Sequence, residues 1–367
     1  MRNERDMSVE LARILACLIV IGVHSCLAVY RENYYDLNRV FISCLFADGV
    51  AVFWLIMGGF LFENLDYKRL FQKTLRSVGI PMIGITVFTF YLSGWAIDGM
   101  PLLQSISHTK EDYIYIFQSL LAWEPPGYVG YLWYLYTYFM VILCFPILKS
   151  FAEYLDGSKK RIKVFLVISF LFLVINDMSN NRLAAFSHHS INALIPASLE
   201  VLWGHILYRN KDKFANKKGV LFGIVIFVVL NVFRTIIQFI LYNMDKGNHI
   251  LYWYTSIGLI CSISIMIFCV SVMRRAKKWI KRLVGFIAGH TLNIYLFHSL
   301  VIAKLRRYGI QDKLYEYVAD FTKSCVGDFI YTGFIVLLVF LLSMCISVLF
   351  RAIKHIWKRL FKARLLL

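Results

Sequence analysis

Apolar runs of about twenty residues, separated by short polar segments, recur along the whole chain. A helix rises ~1.5 Å per residue, so about 20 residues cross the hydrocarbon core of a bilayer. The pattern predicts ten such spans, at approximately 9–30, 40–63, 75–95, 130–151, 162–176, 191–208, 219–243, 250–273, 284–303 and 328–350. The fifth is short, and Pro196 breaks the sixth. No linker, repeat or low-complexity stretch divides the chain. The expected fold is an all-α polytopic membrane protein of about ten transmembrane helices. It is expected to form one membrane domain over 1–367, with no soluble extracytoplasmic domain. The first apolar run lacks a small-residue cleavage pattern, which predicts an uncleaved first helix. The loop 96–130 carries YIYIFQSLLAW, too short to span and rich in the aromatic residues favoured at a membrane interface. The other long loop on that side is 304–327.

Composition agrees with this pattern. Of 367 residues, 59% are hydrophobic and 17% charged, against about 25% charged in a soluble domain. The formal net charge is +18, which raises nucleic acid as a partner, but its distribution argues against that. With the N-terminus in the cytoplasm, 28 of the 40 Lys and Arg residues fall on the cytoplasmic side and ten outside. Arg13 and Arg234 lie within spans. Such a bias predicts that both termini are cytoplasmic and reads the charge as a topology signal, helped by anionic membrane lipid. A cytoplasmic polyanion could use part of it. Seven of the eight cysteines, all but Cys325, sit in apolar runs, with no CxxC or Cys/His metal spacing. They read as small buried residues, with no metal expected.

The polar groups inside the spans carry the chemical question. An ionisable side chain in a bilayer normally faces the bundle interior and finds a partner there. His24, in LARILACLIVIGVHS, lies roughly 22 Å along its helix and has no charged residue three or four positions away, so it needs a partner from another helix. Asp48, Arg234 and His298 come from three other spans at a similar depth, which predicts one shared polar cavity. A second polar layer lies at the cytoplasmic end: Glu10 and Arg13 on one helix face, then Glu63, Lys68, Arg69, Lys73 and Arg76, with His205. Guanidinium and ammonium groups of this kind hold phosphates. Plainer readings stand beside these. A single basic residue at a helix end anchors topology, His298 alone fits a satisfied core histidine, and Glu200 and His205 fit a pair across turns of one helix. Gly49, Gly58 and Gly59 fit close helix contact.

Five segments, in order, carry a resemblance. ERDMSVELARILACLIVIGVHS, with Glu10, Arg13 and His24, resembles the first helix of the membrane acyltransferase-3 family. DGVAVFWLIMGGFLF looks like its second-helix signature, KRLFQKTLRSVGIP like the basic loop and proline that follow, YLWYLYTYFMVILCFPIL like its Trp-aromatic-Leu motif, and HTLNIYLFHSLV like its late Tyr-Leu-x-His motif. Met57 departs from the family's usual Ser before the glycine pair, which puts a hydroxyl's role there in doubt. The resemblance implies transfer of an acetyl or other short acyl group from cytoplasmic acyl-CoA, here acetyl-CoA, to a hydroxyl of an envelope polysaccharide, glycolipid or lipid-linked sugar. It implies His24 as general base, with Asp48 and Glu10 completing the catalytic set. Arg13, Lys68, Arg69, Lys73 and Arg76 would hold the CoA phosphates, and Trp133, Arg234, Tyr295 and His298 would line the acceptor side. A bacterial plasma membrane is the expected location. The alternative is an amino-acid transporter of the serine type, since some relatives fuse a similar membrane domain to a racemase. Against it, the sequence shows no inverted repeat and no interrupted helices in matching halves. A purely structural role explains neither His24 nor the basic layer.

Overall fold

The structure is a computed structural model that describes residues 5–25, 37–63, 66–178, 189–244, 255–322 and 325–364. Cys26, Arg2, Arg31, Arg182, Lys246 and Lys323 lie outside the described residues. In chain order the helices are α1 (Met7–Ser25), α2 (Leu37–Leu45), α3 (Gly49–Leu61), α4 (Tyr67–Thr74), α5 (Ile80–Ala96), α6 (Leu102–Ile106), α7 (Lys110–Leu121), α8 (Trp133–Leu143), α9 (Phe145–Asp156), α10 (Lys159–Met178), α11 (His189–Asn192), α12 (Leu194–Arg209), α13 (Lys217–Asn243), α14 (Thr255–Met273), α15 (Lys278–Ala288), α16 (Thr291–Arg307), α17 (Ile310–Thr322) and α18 (Cys325–Arg364). A π-helical turn, Leu75–Gly79, joins α4 to α5, and a 3-10 helix, Gly127–Leu132, leads into α8. The described residues contain no strand, as a lipid-immersed backbone that must satisfy its own hydrogen bonds requires.

Among the described residues, seven helices are long and apolar enough to cross a membrane, or nine if each of two bent pairs forms one span. The remaining expected span falls on α10. Its opening Lys159, Lys160, Arg161 and Lys163 shorten its apolar part. The second span runs Leu37–Leu61 but is broken between α2 and α3, with Asp48 at the break. The third starts earlier than expected, at Tyr67. Its π turn immediately precedes Pro81, whose ring and missing N–H do not fit a regular helix turn.

α1 is the centre of the bundle, packed against α3, α14, α15, α16 and α18. It therefore sets two ends for the molecule: a basic end, with Glu10 and Arg13, and a histidine end, with His24. α13 shows how the bundle is sorted in an apolar solvent. Asn231, Arg234, Thr235 and Gln238 are buried on one face, three or four residues apart, while Leu221, Val229 and Phe233 on the other faces are exposed. Lipid solvates the apolar faces, so the polar face turns inward. Cys17, Cys44, Cys261 and Cys269 are buried as expected, whereas Cys345 is exposed.

The bent pairs are Gly127–Leu143 with Phe145–Asp156, at 68°, and Lys278–Ala288 with Thr291–Arg307, at 56°. Pro146 at the start of α9 accounts for the first bend, and the Gly289–His290 turn makes the second. They are the fourth and ninth expected spans, and the fourth and eighth of the nine candidate spans among the described residues. They do not form an inverted repeat. Such a repeat would place both bends at the same point in chain order and at opposite membrane faces. Here the short arm follows the long one in the first pair and precedes it in the second. Both short arms lie at the basic end: α9 through Asp156 beside Arg209, and α15 through Gly285 beside Met7.

Glycine sets the closest helix approach. A Cβ on Gly58 would overlap the Val201 carbonyl, and one on Gly204 would overlap the Leu55 backbone, so α3 and α12 touch main chain to main chain. Gly58→Leu is expected to cost about 3 kcal/mol or more through overpacking, read as a lower melting temperature in detergent. Gly84→Leu, at a lipid-facing position with open space around it, should leave the melting temperature unchanged.

Candidate active site

At the histidine end, His24 in the last turn of α1 faces His298 of α16, with ring centroids 5.2 Å apart. His24 is half-buried and His298 fully buried. The Nδ1 of His298 bonds the Tyr295 carbonyl oxygen at 2.6 Å. A carbonyl only accepts, so Nδ1 carries the proton and Nε2 holds a lone pair. That Nε2 is buried with no hydrogen-bond partner among the described residues. The rings of Tyr131 and Tyr295 flank His298, at 5.2 and 5.6 Å. Reciprocal bonds fix this arrangement: the Tyr131 hydroxyl donates to the Leu296 carbonyl at 2.8 Å, and the Tyr295 hydroxyl donates to the Tyr131 carbonyl. Arg306 donates to the His24 carbonyl at 3.0 Å, which places a cation at the C-terminus of α1.

An aromatic column runs from this pair toward the basic end. Tyr295 packs on Tyr134 at 5.9 Å and on Phe53 at 6.5 Å. Tyr134 packs on Trp54 at 4.5 Å and on Tyr138 at 6.3 Å. Arg13 lies within electrostatic reach of Tyr134, Tyr138 and Cys17. Eleven positions of α1 separate Arg13 from His24, roughly 16 Å along the helix axis.

The basic end carries the second expected layer. Arg13 pairs with Glu10 at 3.2 Å, across one turn as the sequence predicts, and its side chain is 37% exposed and so within reach of a ligand. Lys68, Arg69, Lys73 and Arg76 on α4 and the π turn are exposed and form no ion pair among the described residues. Asp6 accepts hydrogen bonds from Lys211, Tyr208 and Ser8. Burial pushes its carboxyl up, but these bonds outweigh it and hold Asp6 below the ordinary carboxylate value. His205 turns to Asp156 at 3.2 Å, beside Arg209, rather than to Glu200. Glu200 is buried and makes no ion pair among the described residues.

The single shared cavity expected from depth does not form. The four ionisable groups sort into two separate pairs. Asp48 takes Arg234, whose Nη2 donates to both carboxylate oxygens at 3.1 Å and whose Nη1 reaches the Cys44 carbonyl at 3.4 Å. Both side chains are almost completely buried, between α13, α14 and the α2–α3 break. Asp48 is therefore committed to Arg234 rather than orienting His24, and Arg234 does not line the histidine pair. Sequence offset gives depth but not the direction in which a side chain points around its helix. Trp133 opens α8 and is half-buried against the main core. Tyr131, two residues earlier, is the one beside His298. Sequence reading also missed Tyr134 and Arg306. The tyrosines were visible only as members of an aromatic-rich run, and nothing in the sequence marked Arg306. No group of three His, Cys, Asp or Glu able to hold a metal occurs among the described residues.

In this multi-pass helical bundle the half-buried His24 and the buried His298 meet at one end, and aromatic contacts lead from them toward the accessible Arg13 at the other. The family model described as an acyltransferase domain matches residues 7–351. The chain belongs to this acyltransferase-3 family and is a multi-pass membrane acyltransferase. No curated protein and no solved structure matches it.

The Asp48–Arg234 pair should behave as a buried structural bridge. Removing one partner strands a charge, at a cost of about 3–5 kcal/mol, whereas replacing both with apolar residues is often neutral. Arg234→Met alone should lower the melting temperature strongly, and the double variant Arg234→Met, Asp48→Leu should recover most of it. Equal melting temperatures for wild type and Arg234→Met would contradict the assignment.

Proposed function

We propose that this acyltransferase moves an acetyl or other short acyl group from acyl-CoA at the basic end to a carbohydrate hydroxyl at the histidine end, with His24 as general base. The observation that carries the reading is the His24–His298 pair at the far end of an aromatic column that begins at Arg13. The basic end is the cytoplasmic one, as the lysine and arginine bias indicates. The CoA phosphates rest on Arg13, Lys68, Arg69, Lys73 and Arg76. The span from Arg13 to His24 matches an extended pantetheine arm, which brings the thioester up the column to the histidines.

At the pair, the accessible His24 takes the proton of the attacking hydroxyl. The hydroxyl oxygen forms a bond to the thioester carbonyl carbon. The carbon–sulfur bond then breaks, and the CoA thiolate recovers the proton from the His24 imidazolium. The lone pair on His298 Nε2 holds the acceptor's hydrogen-bond network beside His24. Glu10 acts through Arg13, keeping the guanidinium in place rather than touching the reacting atoms. The acceptor is an envelope polysaccharide, glycolipid or lipid-linked sugar in a bacterial plasma membrane.

Acetyl-CoA at about 100 times its dissociation constant should stabilise the purified protein by about 2.7 kcal/mol. The thermal shift should disappear in Arg13→Ala and persist in His24→Ala. Surface ester formation should fall by about 10²–10⁴-fold in His24→Ala. An unshifted wild type that instead moves radiolabelled serine into vesicles would replace this reading with transport.

A further inference from the structure

A second cluster at the histidine end lies outside the machinery described so far. It comprises Thr89, Phe90 and Tyr91 in α5, His108 and Tyr113 before and within α7, and Tyr128 in the 3-10 helix. The His108 ring stacks on Phe90, with centroids 3.7 Å apart and planes 17° apart. Tyr128 and Tyr113 each lie 5.7 Å from Phe90. The Tyr91 and Tyr113 hydroxyls meet at 3.5 Å. A membrane-interface belt accounts for exposed rings such as Tyr113, 47% exposed. It does not account for three buried polar atoms of the cluster that lack hydrogen-bond partners: Thr89 Oγ1, His108 Nε2 and Tyr128 Oη. Thr89 is 3% exposed. Buried polar groups are ordinarily paired, and two orphans on one ring stack, with a third on Thr89 next to Phe90 in α5, point to a ligand that supplies the missing bonds.

The chemistry of that ligand follows from the lining. None of the six side chains carries a fixed charge; the neighbouring Asp112 carboxylate caps α7 through Thr109 and stands 3.8 Å from His108 Nδ1. Hydroxyl groups that both donate and accept, set around flat aromatic faces, complement a pyranose ring. Its C–H face stacks on aromatics, and its rim hydroxyls hydrogen-bond both ways. A lipid tail would satisfy none of the orphans.

We infer that Thr89, Phe90, Tyr91, His108, Tyr113 and Tyr128 form a binding subsite for a neutral pyranose unit of the acceptor. Its role as acceptor subsite rests on the acyl-transfer reading. The 3-10 helix connects it to the chemistry. Tyr128 lies three residues before Tyr131, at most ~10 Å along the chain, and Tyr131 touches His298. A glycan seated on the cluster thus presents its adjoining hydroxyls to the histidine pair.

The test is saturation-transfer difference NMR on the full chain in lipid nanodiscs. The probe is an equimolar mixture of the methyl pyranosides of glucose, galactose, mannose and rhamnose. Saturation should reach pyranose ring protons with wild type and with the control Trp279→Ala, an exposed position on α15. It should fall at least five-fold in each of Thr89→Val, His108→Ala and Tyr128→Phe, single changes that leave the aromatic core nearly intact. No transfer to any of the four sugars from folded wild type would overturn the subsite, as would transfer that survives all three variants. Sugar binding by a protein that transfers no acyl group would leave the subsite standing and remove the acyl-transfer reading instead.

Discussion

Hydrocarbon offers no hydrogen-bond partner, and the rest of this structure depends on that constraint. Polar groups placed within a span are costly and turn toward other parts of the protein for their partners. α13 shows the result most directly, with Asn231, Arg234, Thr235 and Gln238 turned inward and apolar residues facing lipid. Arg234 can exist there only because the second span breaks at Asp48 and frees a carboxylate to meet it. The same requirement turns Tyr131 and Tyr295 toward backbone carbonyls, which locks α16 to the 3-10 helix and sets the ring of His298.

The two polar systems have different characters. Asp48 and Arg234 neutralise each other in a buried ion pair. His24 and His298 carry no compensating carboxylate in their ring contacts, and His298 keeps an unused lone pair. The basic end has the complementary property. Arg13 is anchored by Glu10 yet exposed, and the α4 cations form no ion pair among the described residues. The described residues are thus polarised along α1, with exposed cations at one end and two histidines at the other, joined by aromatic rings rather than by charges.

Much of this was legible beforehand, and particular residues show why. The apolar runs fixed the helices because span length is a property of the solvent. Glu10 and Arg13 were readable because a three-residue offset places two side chains on one helix face. His24 stood out because no local partner existed. Gly58 was readable as a contact residue, although its counterpart Val201, far along the chain, was not. Asp48 was misassigned for a definite reason. Its azimuth depended on the break after α2, where the Asp48–Gly49 dipeptide marks a turn without saying which way the carboxylate points. His205 likewise found Asp156, a residue on another helix, in place of Glu200 on its own.

The sequence by itself determined that the protein is an all-helical, multi-pass membrane protein and which family it resembles, because these follow from composition and local offsets. Only the tertiary structure decided which buried groups meet. It gave Asp48 to Arg234 and His24 to His298, set Tyr131 against His298, and gathered His108, Tyr113 and Tyr128 around Phe90. The physical reason is that rotation of each helix about its own axis is set by close packing with its neighbours. That packing depends on residues from distant parts of the chain acting together.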